Sequence, residues 1–273
     1  MHRIPRGIVD EQVARTKFTL VRHPPAAELR ELVEYYWLLR WDLTEPHVQR
    51  VLPNLSVHVT FFPGTTAVHG PMRDVFTYRL EGRVHGIAAR WRPGCFRPFL
   101  NAPVRTVAGR SVDVTEIFGA NAADVATRIR NARTDEEMIT AIDNLLMACR
   151  RPVTTAGRAA AEAVETIAAD AGITRVTHLA AATGVSVRAL QRLFAEHVGS
   201  TPKQAIRIYR LDEAARVLAA EPAPDYAGLA TRLGYSDQPH FIRDFRAVTG
   251  RSPGAFSRSA HDPMPDNGNG RRE

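Results

Sequence analysis

Between residues 48 and 107, short runs rich in apolar and β-branched residues are broken at regular intervals by turn residues. Val48–Leu52, Leu55–Phe62, Ala67–His69, Val75–Leu80 and Val84–Trp91 are separated by Pro53-Asn54, Pro63-Gly64, Gly70-Pro71 and Glu81-Gly82. Runs this short and evenly spaced predict the strands of a small antiparallel barrel or sandwich. After Pro103 the spacing becomes helical and predicts helices over Asp113–Gly119, Ala122–Ala132 and Asp135–Cys149. On the last of these Met138, Ile142, Leu145 and Cys149 step at 4, 3, 4, with Ile139 and Leu146 beside them. Such a stripe either covers the sheet or meets the same stripe on a second copy.

The second half is helical throughout and contains one pattern twice. Leu179-Ala180-Ala181-Ala182-Thr183-Gly184-Val185-Ser186 is followed by Leu190, Arg192, Phe194, Gly199 and Pro202. Leu229-Ala230-Thr231-Arg232-Leu233-Gly234-Tyr235-Ser236 is followed by Phe241, Arg243, Phe245, Gly250 and Pro253. The offset is 50 up to the serine and 51 beyond it, so the second copy carries one inserted residue where its second helix begins. Gly184 and Gly234 supply the backbone freedom to end a helix sharply, and Ser186 and Ser236 stand where an N-cap is expected. Each copy therefore predicts a helix-turn-helix. Between them Thr201-Pro202 starts a helix, on which Ile208, Leu211, Ala215 and Leu218 form one apolar stripe; Ser252-Pro253 repeats the start signal. A rigid spacer fixes the separation of two recognition helices, and successive major-groove faces of DNA lie about 34 Å apart. A plain helical hairpin would account for the packing residues alone. It does not account for a basic residue at the same helical position in both copies, Arg192 and Arg243.

From about Ala159 to Ser257 the chain resembles the AraC/XylS family of transcription regulators. The resemblance rests on both Gly-x-Ser turns, the two recognition-helix patterns, the spacer Tyr209-Arg210-Leu211-x-x-Ala214 and the closing Gly250-x-Ser252-Pro253. It implies a seven-helix domain with both recognition helices in major grooves on one face of the DNA. Carried over by position, Arg188, Gln191 and Arg192 in the first helix and Gln238, His240 and Arg243 in the second face the DNA. Arg and Gln suit base edges because they make bidentate hydrogen bonds with guanine and adenine. Pro239 falls in a first turn, where proline is tolerated.

Composition sharpens the partner. The 273 residues carry a net charge of +7, and a basic chain favours an anionic partner. The excess is not concentrated in the helical half: residues 1–150 hold 20 Lys/Arg against 16 Asp/Glu, and residues 155–260 hold 13 against 10. Placement must therefore matter more than total charge, and Lys203, Arg207, Arg246 and Arg251 join the recognition-helix residues as candidate DNA contacts. Cys95 and Cys149 are too few and too far apart for a disulfide framework or zinc cage. No apolar run approaches the roughly 20 residues of a membrane span, and the opening residues do not read as a signal peptide, so a cytoplasmic protein is expected.

The N-terminal half resembles the uncharacterised domain that accompanies some AraC-type DNA-binding domains, through Tyr35-Tyr36-Trp37, Leu52-Pro53-Asn54, His85-Gly86-Ile87 and Arg90-Trp91-Arg92-Pro93-Gly94. That resemblance implies effector sensing or dimerisation. Trp37, Phe61, Trp91 and Phe96 are candidates to line a ligand pocket or to fill a core. Two rival readings differ in kind: a cupin-type metal-dependent enzyme using His47, His58, His69 and His85, and a self-methylating regulator using Cys95 or Cys149. Against the first, no His-x-His pair and no carboxylate at ligand spacing is present; against the second, neither cysteine has a Pro-Cys-His neighbourhood.

The expected architecture is multidomain α+β: an N-terminal antiparallel barrel or sandwich with helices (1–150), a linker (151–156), an all-α domain with two helix-turn-helix motifs (157–258) and a disordered tail (259–273). The expected partners are double-stranded DNA and a small-molecule effector, with RNA polymerase and a second copy of the chain as further candidates. No cofactor, metal or catalytic residue is expected.

Overall fold

The computed structural model describes residue 7 and residues 11–261. The first half is built on one antiparallel sheet of six strands: β1 (Thr19–His23), β2 (Val33–Val51), β3 (His58–Phe62), β4 (Thr65–His69), β5 (Phe76–Trp91) and β6 (Ser111–Asp113), in the order β1-β2-β5-β3-β4-β6. A short helix, α1 (Glu11–Lys17), precedes it; α2 (Val114–Phe118), α3 (Asn121–Asn131) and α4 (Asp135–Ala148) follow.

The predicted strand break at Glu81-Gly82 is not a break, and β2 begins well before the predicted start at Val48. β2 and β5 run past it as a single long ribbon, because Pro46 and Gly82 sit at a shared irregularity: the register shifts between Leu43 and His47, and Gly82, opposite Leu43, has φ of +61°. A bulge accommodates a proline and bends the ribbon instead of ending it. The predicted run 55–62 is shorter, since its pairing starts at His58, and β1 and the N-terminal part of β2 were not predicted.

Strict alternation along the strands separates two faces. Tyr36, Leu38, Val59, Phe61, Ile87, Ala89 and Trp91 join a core closed by Val125 and Ile129 of α3 and Met138, Ile142, Leu145 and Leu146 of α4. The α4 stripe is thus spent on its own sheet, which corrects the alternative that it pairs with a second copy. Phe61, Trp91 and Phe96 belong to this core as well. Their neighbours in the alternation, Trp37, Leu39, Trp41, Thr60 and Phe62, point to the other face and line a cavity.

Seven helices complete the described chain: α5 (Thr155–Ala169), α6 (Val176–Thr183), α7 (Val187–Leu193), α8 (Pro202–Ala220), α9 (Tyr226–Arg232), α10 (Gln238–Thr249) and α11 (Pro253–His261). Thr154 caps α5, its hydroxyl accepting from Gly157 N, so the helix begins inside the expected linker. α11 runs to His261, whose Nδ1 lies 2.8 Å from Ser257 O. Residues 259–261 therefore close a helix and do not belong to a tail; 262–273 lie outside the described residues.

The helices form two cores. One gathers α5, α6, α7 and the start of α8; the other gathers the remainder of α8 with α9, α10 and α11. Each takes one leucine from the β2–β3 connection: Leu55 joins the first and Leu52 the second. Elsewhere the two halves approach closely, and at Gly94 (φ +93°) a Cβ would stand 2.8 Å from Gly157 O and Ala161 N of α5. Only glycine fits there.

Candidate nucleic-acid interface

Each motif forms for the local reasons its sequence carries. α6 ends at Gly184, which adopts φ of +68°, and α7 starts under Ser186, whose hydroxyl accepts from Ala189 N at 3.3 Å. Leu190 is fully buried on the inner side of α7, while Arg188, Gln191 and Arg192 are exposed on the outer side. A π-helical turn, Phe194–Val198, prolongs α7 and closes at Gly199.

The second motif repeats this plan with one correction. α9 turns at Gly234 (φ +73°), but the cap of α10 is Asp237, not Ser236. Asp237 Oδ1 accepts from His240 N at 2.7 Å, and Ser236 Oγ donates to Asp237 Oδ2 at 3.0 Å. The His240 N–H and the Ser236 hydroxyl hold the Asp237 carboxyl below its usual range. The inserted residue is thus the cap itself, with the serine moved back to support it. Phe241 and Phe245 are buried, whereas Gln238, His240, Arg243 and Arg246 are exposed. His240 stands edge-on to Tyr235, centroids 5.2 Å apart, with Nδ1 3.2 Å from Ser236 Oγ.

The other candidates separate into two kinds. Lys203, in the first turn of α8, is exposed beside a cleft of about 700 Å³ that also takes Arg175, Arg207, Arg210, His240 and Asp244. This cleft brings the starts of α6 and α8 together with that of α10. Arg207 is committed inside it: Nε and Nη2 lie 2.7 and 2.6 Å from Asp244 Oδ1, tying α8 to α10. Asp244 Oδ2 accepts from the Tyr235 hydroxyl at 2.8 Å, and the Arg210 guanidinium covers the Tyr235 ring at 3.9 Å. Burial and Asp244 together push the Tyr235 hydroxyl pKa upward. Arg251 is likewise engaged, with Nη1 3.3 Å from Ser259 Oγ of α11. The brace Arg207–Asp244–Tyr235–Arg210 was not legible in the sequence, because its members come from α8, α10 and the turn before α10, with Arg207 and Asp244 37 residues apart.

In the N-terminal half the sheet's second face lines a cavity of about 190 Å³ that opens to solvent. Trp37 and Phe62 pack at 5.4 Å between centroids, Trp41 and Phe62 at 6.2 Å, and Phe76 and Tyr78 at 6.1 Å. The four histidines weighed as metal ligands are spent on other partners. His58 Nδ1 accepts from Trp37 Nε1, and its Nε2 meets Asn54 Oδ1, both at 3.2 Å. His69 contacts Thr60 Oγ1 and Ser111 Oγ, His85 pairs with Asp135, and His47 faces Gln49. Among the described residues no group of three or more His, Cys, Asp or Glu is arranged to hold a metal. Cys95 is buried, which pushes its thiol up to about 12, and Cys149 sits at the end of α4 with its thiol also raised by burial. A thiol so raised is a poor nucleophile. No described helix is long and apolar enough to cross a membrane.

Comparison with known proteins agrees with this division. Residues 179–259 match the helix-turn-helix domain family, and residues 21–113 match a domain of unknown function, DUF6597. Among solved structures the chain is similar to ToxT from Vibrio cholerae O395, at 9% identity and a TM-score of 0.40 over 91% of this chain and 100% of that one. ToxT bound to (E)-4-(8-methylnaphthalen-1-yl)but-3-enoic acid aligns at 10% identity and a TM-score of 0.38 over 89% and 99%.

Proposed function

We propose that the chain is a DNA-binding transcription regulator of the AraC type, supported by the helix-turn-helix family match over residues 179–259, and that α7 and α10 enter adjacent major grooves of one site. In this reading Arg188, Gln191, Arg192, Gln238, His240 and Arg243 meet base edges, while Lys203 and Arg246 meet phosphates. The observation that carries it is the repeated division of each recognition helix into a buried aromatic or aliphatic side and an exposed side of arginine and glutamine. Arg207 and Arg251 drop to supporting roles because their guanidinium groups already have partners within the domain.

The sheet domain is the effector-sensing part, and the β2–β3 connection supports that assignment. Its Asn54, with His58 just beyond it at the start of β3, lines the cavity, while Leu52 and Leu55 are packed into the two helix-turn-helix cores. A ligand that shifts this connection therefore acts on both motifs. Regulation, not catalysis, is the activity expected, exercised in the cytoplasm.

Arg192→Ala and Arg243→Ala should each weaken binding to the cognate site by about 1–3 kcal/mol and relax sequence preference locally. Selection of the cognate site from a random DNA pool, followed by titration of both variants, tests this. Full affinity and unchanged preference in both would refute the groove assignment.

A further inference from the structure

The cavity on the sheet's second face has a wall in which most polar groups already hold one another. Trp37 Nε1 is a donor only, so His58 Nδ1 must accept from it, which places the His58 proton on Nε2 facing Asn54 Oδ1. The Thr60 hydroxyl has the carbonyls of Thr65 and Ala67 as acceptors and meets His69 Nε2 at 3.0 Å, while His69 Nδ1 lies 2.8 Å from Ser111 Oγ. Tyr78 OH meets Thr65 Oγ1 at 3.3 Å. The one buried charge in the wall, Arg90, is neutralised by Glu34 at 2.8 Å and lies against the Tyr35 ring. Burial keeps His58 and His69 uncharged, with Arg90 adding to the effect on His58. What these groups leave facing the interior is aromatic carbon from Trp37, Trp41, Phe62 and Phe76.

A charged guest would lose its hydration and find no unpaired charge inside, whereas an aromatic guest loses little and gains ring contacts. Arg22 is the remaining cation of the lining. It is exposed, with its guanidinium 5.0 Å from the Tyr35 centroid, and solvent weakens any ion pair formed there. An apolar cavity of about 150 Å³ accepts benzene, so the 190 Å³ here suits a molecule of one or two small rings. Resting on the effector-sensing role assigned above, we propose that this cavity takes an uncharged, ring-bearing apolar molecule and selects against its carboxylated counterpart.

The test compares indole with indole-3-carboxylate on the full chain at neutral pH, by calorimetry, and repeats both on Met72→Trp and Leu20→Trp. Both substitutions fill the cavity from half-buried positions, one in a loop and one on the edge strand β1. The expected result is indole binding at least tenfold tighter than the carboxylate, with that binding lost in whichever filled variant keeps the circular dichroism spectrum of the parent. Carboxylate binding equal to or tighter than indole, and abolished by filling, would overturn the proposed ligand class while leaving the effector-sensing role standing. Loss of that carboxylate binding in Arg22→Ala would assign the preference to the rim. No binding of either compound at millimolar concentration would overturn the proposed class. If DNA affinity were also unchanged by filling, the effector-sensing role would fall with it.

Discussion

Arg207→Ala separates a brace from a phosphate contact. The guanidinium makes two charge-assisted contacts to Asp244, at 2.7 and 2.6 Å, with side-chain exposures of 30% and 17%. Hydrogen bonds to charged groups contribute about 1.5–3 kcal/mol each, but this pair is partly wet, and screening lowers its worth. Asp244 also keeps the Tyr235 hydroxyl after the substitution. The expected loss is therefore about 2 kcal/mol of stability, read as a lower urea midpoint with an unchanged slope. Asp244→Asn should move the midpoint in the same direction. DNA binding supplies the second arm: each phosphate contact contributes about −0.9 to the slope of log affinity against log salt on duplex DNA. Arg207→Ala should leave that slope unaltered, whereas Lys203→Ala should make it shallower by about 0.9 and leave the urea midpoint in place. A full-stability Arg207→Ala with a shallower salt slope would return Arg207 to the DNA and refute the brace.

Three further outcomes follow from the same geometry. Asp237→Ala should lower the urea midpoint through the lost cap of α10, and Ser236→Ala clearly less; equal losses would restore the serine as the cap. Leu52→Ala and Leu55→Ala should each cost about 2–5 kcal/mol, as for core leucines, although both lie in a connection between strands; losses near zero would show that neither is held by the helices. Because burial lowers the His58 and His69 pKa values in the folded state, the unfolded chain binds more protons below its pKa of about 6.5. Stability is then full above that pH and declines as pH falls through it, and His58→Gln should flatten the decline in melts between pH 7 and 5.

Much of the helical half was legible because its signals are local. Gly184, Gly234 and Thr201-Pro202 mark the chain by backbone need alone, and the stripe Ile208, Leu211, Ala215, Leu218 is buried as its spacing requires. The cap of α10 was misplaced by one residue because serine and aspartate both satisfy a free helix N–H, and only the repeat's offset distinguishes them. The sheet was less legible. Glu81-Gly82 carries the chemistry of a chain reversal yet lies at a bulge, which depends on the two strands meeting there. Cavity and core were indistinguishable for a related reason: Tyr36 and Trp37 are equally aromatic neighbours, and alternation says that they part without saying which side is filled. The ion pair of Arg207 with Asp244 left no trace in spacing at all.

The two leucines of the β2–β3 connection change what a boundary means in this protein. Measured along the chain, the last helix of the sheet half ends at Ala148 and the first of the helical half begins at Thr155. Measured in space, the helical half includes Leu52 and Leu55. A chain severed at the linker would leave two empty sockets in one piece and two bare leucines on the other. Transplanting the helices onto an unrelated sensor would therefore require moving a loop that lies a hundred residues upstream of them.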